Sequence, residues 1–300
     1  MTVNAWASLD ARVVTEGLHP VVAGALRDRW GHPASGDARH EVVLRRGTVP
    51  EGPPGGQAAP ALPGDAVVRV RDDGVWIGPS LHLRVGDGES RITVASDGQD
   101  VSDAAWTLAL AETHRAGGWL ALHAAVLIPR AGAGTGGVAL SGASGAGKST
   151  AALRWAHAGG RLAAEDQTWV CPETGRAVGL DRWLRSSGEG VRRFAPEWLA
   201  RAEGLDVHGK LRLPLISPGK EVPLAALLVF GLPPQPTAPE RVRALWEATG
   251  VPLTALGRRR GAAGVAALLE RLPIRGVTRE DVLEATRQTF QPLIWTPSDS

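Results

Sequence analysis

The strongest patterning of apolar and polar positions lies between Trp119 and Cys171. The run Leu120 to Ile128 is apolar except for His123 and predicts a buried strand. A Gly-rich connection, Ala131 to Gly137, leads to a second strand over Val138 to Ser141. The loop Gly142 to Gly147 follows, and then a helix from Lys148 to about His157 that Gly159 and Gly160 stop. A short strand over Arg161 to Ala164 ends at Glu165-Asp166, and Gln167 to Cys171 reads as another strand. Further on, helices are expected over Pro196 to Ala202, Pro239 to Ala248, about Ala262 to Arg271, and Arg279 to Phe290. Strands are expected over Leu211 to Leu215 and Leu224 to Phe230. This alternation predicts an α/β domain over residues 119–300.

Residues 1–118 are patterned differently. Val21 to Trp30 carries helical apolar spacing, and Glu41 to Arg46 reads as a strand. Thr48 to Gly64 is rich in Pro and Gly and is expected to be a mobile loop. Four short strands follow, Ala66 to Arg71, Val75 to Ile77, Leu81 to Val85 and Ile92 to Ala95, separated by Asp/Gly turns. They predict an antiparallel meander in a small, β-rich α+β unit whose role we expect to be substrate recognition. Ser102 is placed to cap a helix over Asp103 to His114.

Composition narrows the function classes. Apolar residues make up 43% of the 300-residue chain and charged residues 21%, enough for a sizeable core. The net charge of +2 gives no electrostatic case for a nucleic-acid partner. Cys171 is the single cysteine, so neither an internal disulfide nor a thiolate metal cluster can form, which fits a cytoplasmic location. The N-terminal residues show no signal-peptide pattern, and the apolar runs Trp119 to Ile128 and Val222 to Leu232 are too short to span a membrane. No membrane partner is expected, and a homo-oligomer is left open.

Gly142-Ala143-Ser144-Gly145-Ala146-Gly147-Lys148-Ser149 matches G-x-x-x-x-G-K-[ST] in full, between a predicted strand and a predicted helix. Glycines let such a loop wrap phosphate and turn its N–H groups inward, and the helix that starts at Lys148 adds its positive end. In this P-loop (Walker A) reading, residues 142–149 with Thr150 bind nucleotide, Lys148 reaches the β- and γ-phosphates, and Ser149 ligates Mg²⁺. The lysine is telling because the chain otherwise uses arginine almost throughout. Lys148, Lys210 and Lys220 are its three lysines.

P-loop proteins need a further acid near the metal, and the apolar strand Leu224 to Phe230 ends without one. Glu165-Asp166 is the candidate, because the helix runs away from the phosphates and the next strand returns. One carboxylate would bind Mg²⁺ and the other would take a proton from an attacking hydroxyl. His123 interrupts an apolar strand, where histidine is more often a core residue than a functional one.

Together these residues resemble the catalytic domain of HPr kinase/phosphorylase and its shorter serine-kinase relatives, some of which act in peptide biosynthesis. The resemblance covers about residues 119–232. It rests on Leu122-His123-Ala124, on Gly142 to Ser149, on Ala158-Gly159-Gly160-Arg161-Leu162, and on Ala164-Glu165-Asp166. The family usually has Asp where this chain has Glu165. The resemblance implies a P-loop domain of the HPr kinase/phosphoenolpyruvate carboxykinase type that uses ATP and Mg²⁺. It implies Glu165 as base toward the acceptor, Asp166 as magnesium partner, His123 as support for Glu165, and Glu189 as a further magnesium-linked acid. Arg182, Arg185, Arg192 and Arg193 surround Glu189 and would hold phosphate or an acidic substrate, or are simply exposed arginines. The implied activity is transfer of the γ-phosphoryl group to a Ser/Thr hydroxyl of a peptide or protein. A kinase of a small hydroxyl metabolite such as free serine, and a non-catalytic ATP-binding regulator, are the alternatives.

Overall fold

The computed structural model describes residues 3–55, 57–58, 67–130, 136–206, 208–214, 216 and 219–294. Part of the Pro/Gly-rich stretch 48–64, the connection 131–135, and Leu215 at the end of an expected strand lie outside the described residues. The protein is mixed α/β with mixed sheets, and it divides into two compact units, residues 1–120 with 251–264 and residues 121–250 with 265–300.

The first unit contains β1 (Val3–Ser8), β2 (Ala11–Glu16), α1 (Pro20–Trp30), β3 (His40–Arg46), β4 (Gln57–Ala58), β5 (Val67–Arg71), β6 (Gly74–Ile77), β7 (Leu81–Arg84), β8 (Glu89–Val94) and α2 (Asp103–Ala116). One eight-stranded sheet runs β1-β2-β3-β8-β7-β6-β5-β4. From β5 to β8 it is the antiparallel meander expected, and β4 extends it from within the stretch expected to be a loop. Elsewhere the sheet is mixed, because β3 pairs in parallel with both β2 and β8. Period-2 apolar positions such as Val42, Leu44, Leu81, Leu83 and Ile92 are fully buried, which fixes the register. Ser102 caps α2 by accepting from the Ala105 amide at 3.2 Å.

The sequence reading gives everything after residue 119 to the second unit, whereas residues 251–264 pack with the first. Glu112 on α2 is the physical reason. Its side chain is fully buried, and Oε2 accepts from the Leu253 and Thr254 amides at 3.0 and 3.2 Å and from Thr254 Oγ1 at 3.2 Å. Its Oε1 accepts from Arg115 at 2.6 Å.

The second unit begins within β9 (Leu120–Ile128) and continues through β10 (Gly137–Ser141), α3 (Lys148–His157), β11 (Arg161–Ala164), β12 (Gln167–Cys171), β13 (Arg176–Gly179), β14 (Leu184–Ser186) and α4 (Gly188–Phe194). A short 3₁₀ helix (Pro196–Arg201), β15 (Leu211–Leu213), β16 (Glu221–Phe230) and α5 (Ala238–Thr249) follow, then α6 (Ala255–Arg271), β17 (Ile274–Val277) and α7 (Val282–Ile294). The division between the units falls inside α6. The sheet runs β10-β16-β13-β12-β9-β11, with β17 added beside β16 and β9 also pairing β10. The β10, β16 and β17 strands run parallel, while β9 is antiparallel to β10 and β11. Leu127, Leu140, Leu153, Leu162, Leu228 and Phe290 form its dry centre. That core presses α3 against the strands on either side of it, so the end of β10, the start of α3 and the end of β11 are held together.

Candidate functional site

The loop between β10 and α3 keeps its shape through glycine. Gly142 has φ 146°, and a Cβ there would stand 2.9 Å from Cβ of Phe230, so only glycine fits. Gly145 and Gly147 also have positive φ. Lys148 is buried at the first position of α3, and its Nζ donates to the carbonyls of Gly142 at 2.8 Å and Ala143 at 3.4 Å. Burial lowers its ammonium pKa, and the charges of Asp166 and Glu165 oppose that shift.

The two acids at the end of β11 diverge. Extended backbone sends successive side chains to opposite sides, and here Glu165 meets α3 while Asp166 meets β9. Ser149 Oγ donates to Glu165 Oε1 at 2.6 Å. His123 Nε2 lies 2.7 Å from Asp166 Oδ1. The Arg185 guanidinium on β14 binds both acids, through Nε to Glu165 Oε2 at 3.0 Å and Nη2 to Asp166 Oδ2 at 3.2 Å. Their surroundings differ in proportion. Glu165 is 4% exposed, and burial pushes its carboxyl pKa up despite the Ser149 hydrogen bond and Arg185. Burial opposes ionisation of Asp166 too, but the His123 hydrogen bond and charge, then Arg185 and Lys148, hold it below the usual carboxylate range.

Asp181, which follows β13, fixes the backbone that presents this pair. Its Oδ2 accepts from the amides of Glu165, Asp166 and Gln167 at 2.9, 2.8 and 2.8 Å. Burial raises its carboxyl pKa against those three donors. Close approach of β13 to β11 makes this reach short, because a Cβ on Gly179 would fall 1.8 Å from the Ala163 carbonyl oxygen. On the opposite side of the glycine loop Arg279, just before α7, donates to the carbonyls of Ala146 at 2.9 Å and Gly145 at 2.6 Å.

These groups border a cavity of about 560 Å³ lined by Ser144, Gly145, Gly147, Lys148, Ser149, Thr150, Glu165, Asp166, His123 and Arg185. Ser186, Ser187, Asp206, His208 and Lys210 complete its lining. Most of the sequence-selected residues therefore meet, whereas Gly142, Ala143, Ala146, Arg182, Glu189, Arg192 and Arg193 are not in this lining. Glu189 lies exposed in the first turn of α4 and does not border the cavity, because Ser187 caps that turn through the Gly190 amide at 3.0 Å and leaves Glu189 toward solvent. His123 bonds Asp166, not Glu165, and its side chain is 46% exposed on the face of β9 that looks into the cavity, not in the core. Its strand position is set by Ser141 Oγ donating to the His123 carbonyl at 3.2 Å and by Thr168 Oγ1 donating to the Ala124 carbonyl at 2.7 Å.

Asp181, Asp206, His208, Lys210 and Arg279 were not legible as site residues. Of the three lysines, Lys148 and Lys210 border this one cavity. Among the described residues, no group of three or more His, Cys, Asp and Glu side chains is assembled as a metal centre, and no helix is long and apolar enough to cross a membrane. No family model matches the chain, and no curated protein matches it either.

Proposed function

We propose that this chain is an ATP- and Mg²⁺-dependent kinase that transfers the γ-phosphoryl group to a Ser/Thr hydroxyl of a peptide or protein. One observation carries the proposal. A P-loop sequence, its lysine and its hydroxyl share a cavity with a carboxylate pair whose two members have different partners and different exposure. The resemblance to HPr kinase-like proteins points the same way.

The residues present fit Mg²⁺, which takes oxygen donors, commonly one or two carboxylates beside phosphate oxygens and water. Ser149 and Glu165, already 2.6 Å apart, would hold it. When bound, the ion supplies positive charge against the β- and γ-phosphate oxygens. The loop amides and Lys148 bind the phosphates, and Arg185 adds a guanidinium between the two acids. The acceptor oxygen attacks the γ-phosphorus while its proton passes to Asp166. The bond from phosphorus to the β–γ bridging oxygen breaks, and ADP leaves. His123 orients Asp166 through Oδ1.

This division reverses the one the family resemblance implies. A raised pKa would make Glu165 the stronger base. Both oxygens of each acid are engaged, but the Glu165 side chain is only 5% exposed, against 34% for Asp166. Access to an incoming hydroxyl favours Asp166.

The test is transfer from γ-labelled ATP to a Ser/Thr peptide pool, to free serine and to water, with wild type, Lys148→Ala, Asp166→Asn and Glu165→Gln. Lys148→Ala should abolish transfer. Asp166→Asn should lower kcat by about 10²–10⁴-fold with an unchanged magnesium requirement. Full activity in Asp166→Asn would give the base role to another group. Transfer to free serine alone would move the substrate to a small metabolite. ATP binding by wild type without transfer to any acceptor would identify a regulator.

A further inference from the structure

A second cavity, of about 550 Å³, opens on the other side of the glycine loop within the same unit. Its distinctive lining is Arg154, Arg193, Phe194, Phe230, Arg279 and Glu280. Two of the three phenylalanines of the chain are here. Arg193 and Arg154 sit over the Phe194 ring, with Cζ 5.1 and 5.6 Å from its centroid. Neither Glu165 nor Asp166 borders this cavity, so an acceptor hydroxyl placed here would have no carboxylate to take its proton.

Gly145, Gly147 and Thr150 border both cavities. The turn from the glycine loop into α3 is thus their common wall. A polyphosphate lying along that turn, with its terminal group beside Lys148 and Ser149, directs its other end past Thr150 into the second cavity. What waits there suits a planar heterocycle. Phenylalanine faces and guanidinium planes are the surfaces on which bases stack. Glu280 is the single carboxylate in the lining and can only accept hydrogen bonds when ionised, so it matches an exocyclic amino group or ribose hydroxyls. Arg279 joins the two regions physically, since it donates to the loop carbonyls while its own carbonyl accepts from Arg154 Nη1 at 3.3 Å.

We infer that this second cavity is the base-binding site of the nucleoside triphosphate, with Phe194 and Arg193 as the stacking surface and Glu280 as the hydrogen-bond acceptor. The inference rests on the nucleotide reading above. Cavities of this volume are typical for ligands of nucleoside size.

Titration calorimetry with Mg-ATP and with Mg-tripolyphosphate, which lacks base and ribose, separates the two ideas. Wild type should bind ATP at least about tenfold tighter than tripolyphosphate. Phe194→Leu should lose about tenfold for ATP and nothing for tripolyphosphate, whose retained binding also certifies the fold. Arg193, exposed on α4, gives a second variant less exposed to folding failure, and Arg193→Gln should weaken ATP alone by a smaller factor. Equal losses for both ligands, or no loss for ATP in either variant, would overturn the inference. Wild type that binds neither ligand would overturn the nucleotide reading and take the inference with it.

Discussion

Replacing Asp181 by alanine removes one acceptor and strands three donors. Oδ2 of this side chain receives the Glu165, Asp166 and Gln167 amides at 2.8–2.9 Å, and its surroundings are almost closed to solvent. A buried donor left unsatisfied costs about 1–3 kcal/mol, and bonds to a charged acceptor lie toward the upper end. Three donors sharing one site do not add fully, and water entering the space left by the carboxylate recovers part of the loss. A net cost of about 3–5 kcal/mol is therefore expected for Asp181→Ala, a large share of a typical domain's stability. Asp181→Asn keeps an acceptor oxygen but not the charge, and should cost about 1–2 kcal/mol. Because those amides belong to the acid pair itself, both variants should also disturb the positions of Glu165 and Asp166. A displacement on the ångström scale lowers turnover about 100-fold. Urea unfolding followed by tryptophan fluorescence gives the stability, and γ-phosphoryl transfer gives the activity of the folded fraction. An alanine variant with the midpoint and turnover of wild type would refute the reasoning, because the three amides would then have no need of this carboxylate.

Two further outcomes depend on pH. Burial raises the Glu165 pKa above its ordinary value, so the stability tied to this group is full below that value and is lost as pH rises through the folded-state pKa. Glu165→Gln should therefore melt above wild type at pH 8, with the gap closing toward pH 4.5, while the Mg²⁺ needed for half-maximal transfer rises at least about tenfold. Parallel melting curves at both pH values would exclude it. In the first unit, burial and then the charge of His40 depress His114 to about 3, and its Nε2 is 2.9 Å from Ser8 Oγ. A depressed histidine contributes stability above its unfolded pKa that is lost as pH falls, here by about 2–3 kcal/mol between pH 7 and pH 4.5. Urea unfolding at those two pH values should show that loss in wild type and a clearly smaller one in His114→Gln. Equal losses would mean that another group carries the acid sensitivity.

What could be read from the chain before its fold, and what could not, divides along sequence distance. The loop Gly142 to Ser149 and the strand that ends at Glu165-Asp166 are local, and their boundaries follow from glycine, a lone lysine and short apolar runs. The groups that complete the site come from afar. Asp181 reaches back 14 to 16 residues, Arg185 about 20, and Arg279 more than 130 to the loop carbonyls. In a chain rich in arginine, nothing local separates Arg185 and Arg279 from solvated neighbours. The β1–β2 hairpin was missed for a related reason. Its turn passes through Leu9 at φ 52°, a conformation that glycine or asparagine usually announces, so Ser8 and Asp10 are the weaker turn signals that stand in the sequence. Helix α7 begins at Val282, three residues later than its apolar spacing suggests, and residues 279–281 form a turn in which the Thr278 amide donates to Asp281 Oδ1 at 2.7 Å and the Asp281 amide donates to Thr278 Oγ1 at 3.3 Å. Arg279 lies in that turn, and its guanidinium reaches the glycine loop from there. Local periodicity thus found the parts that bind phosphate, whereas the charges that tune the acid pair and brace the loop are set by which strands and helix ends the core brings together.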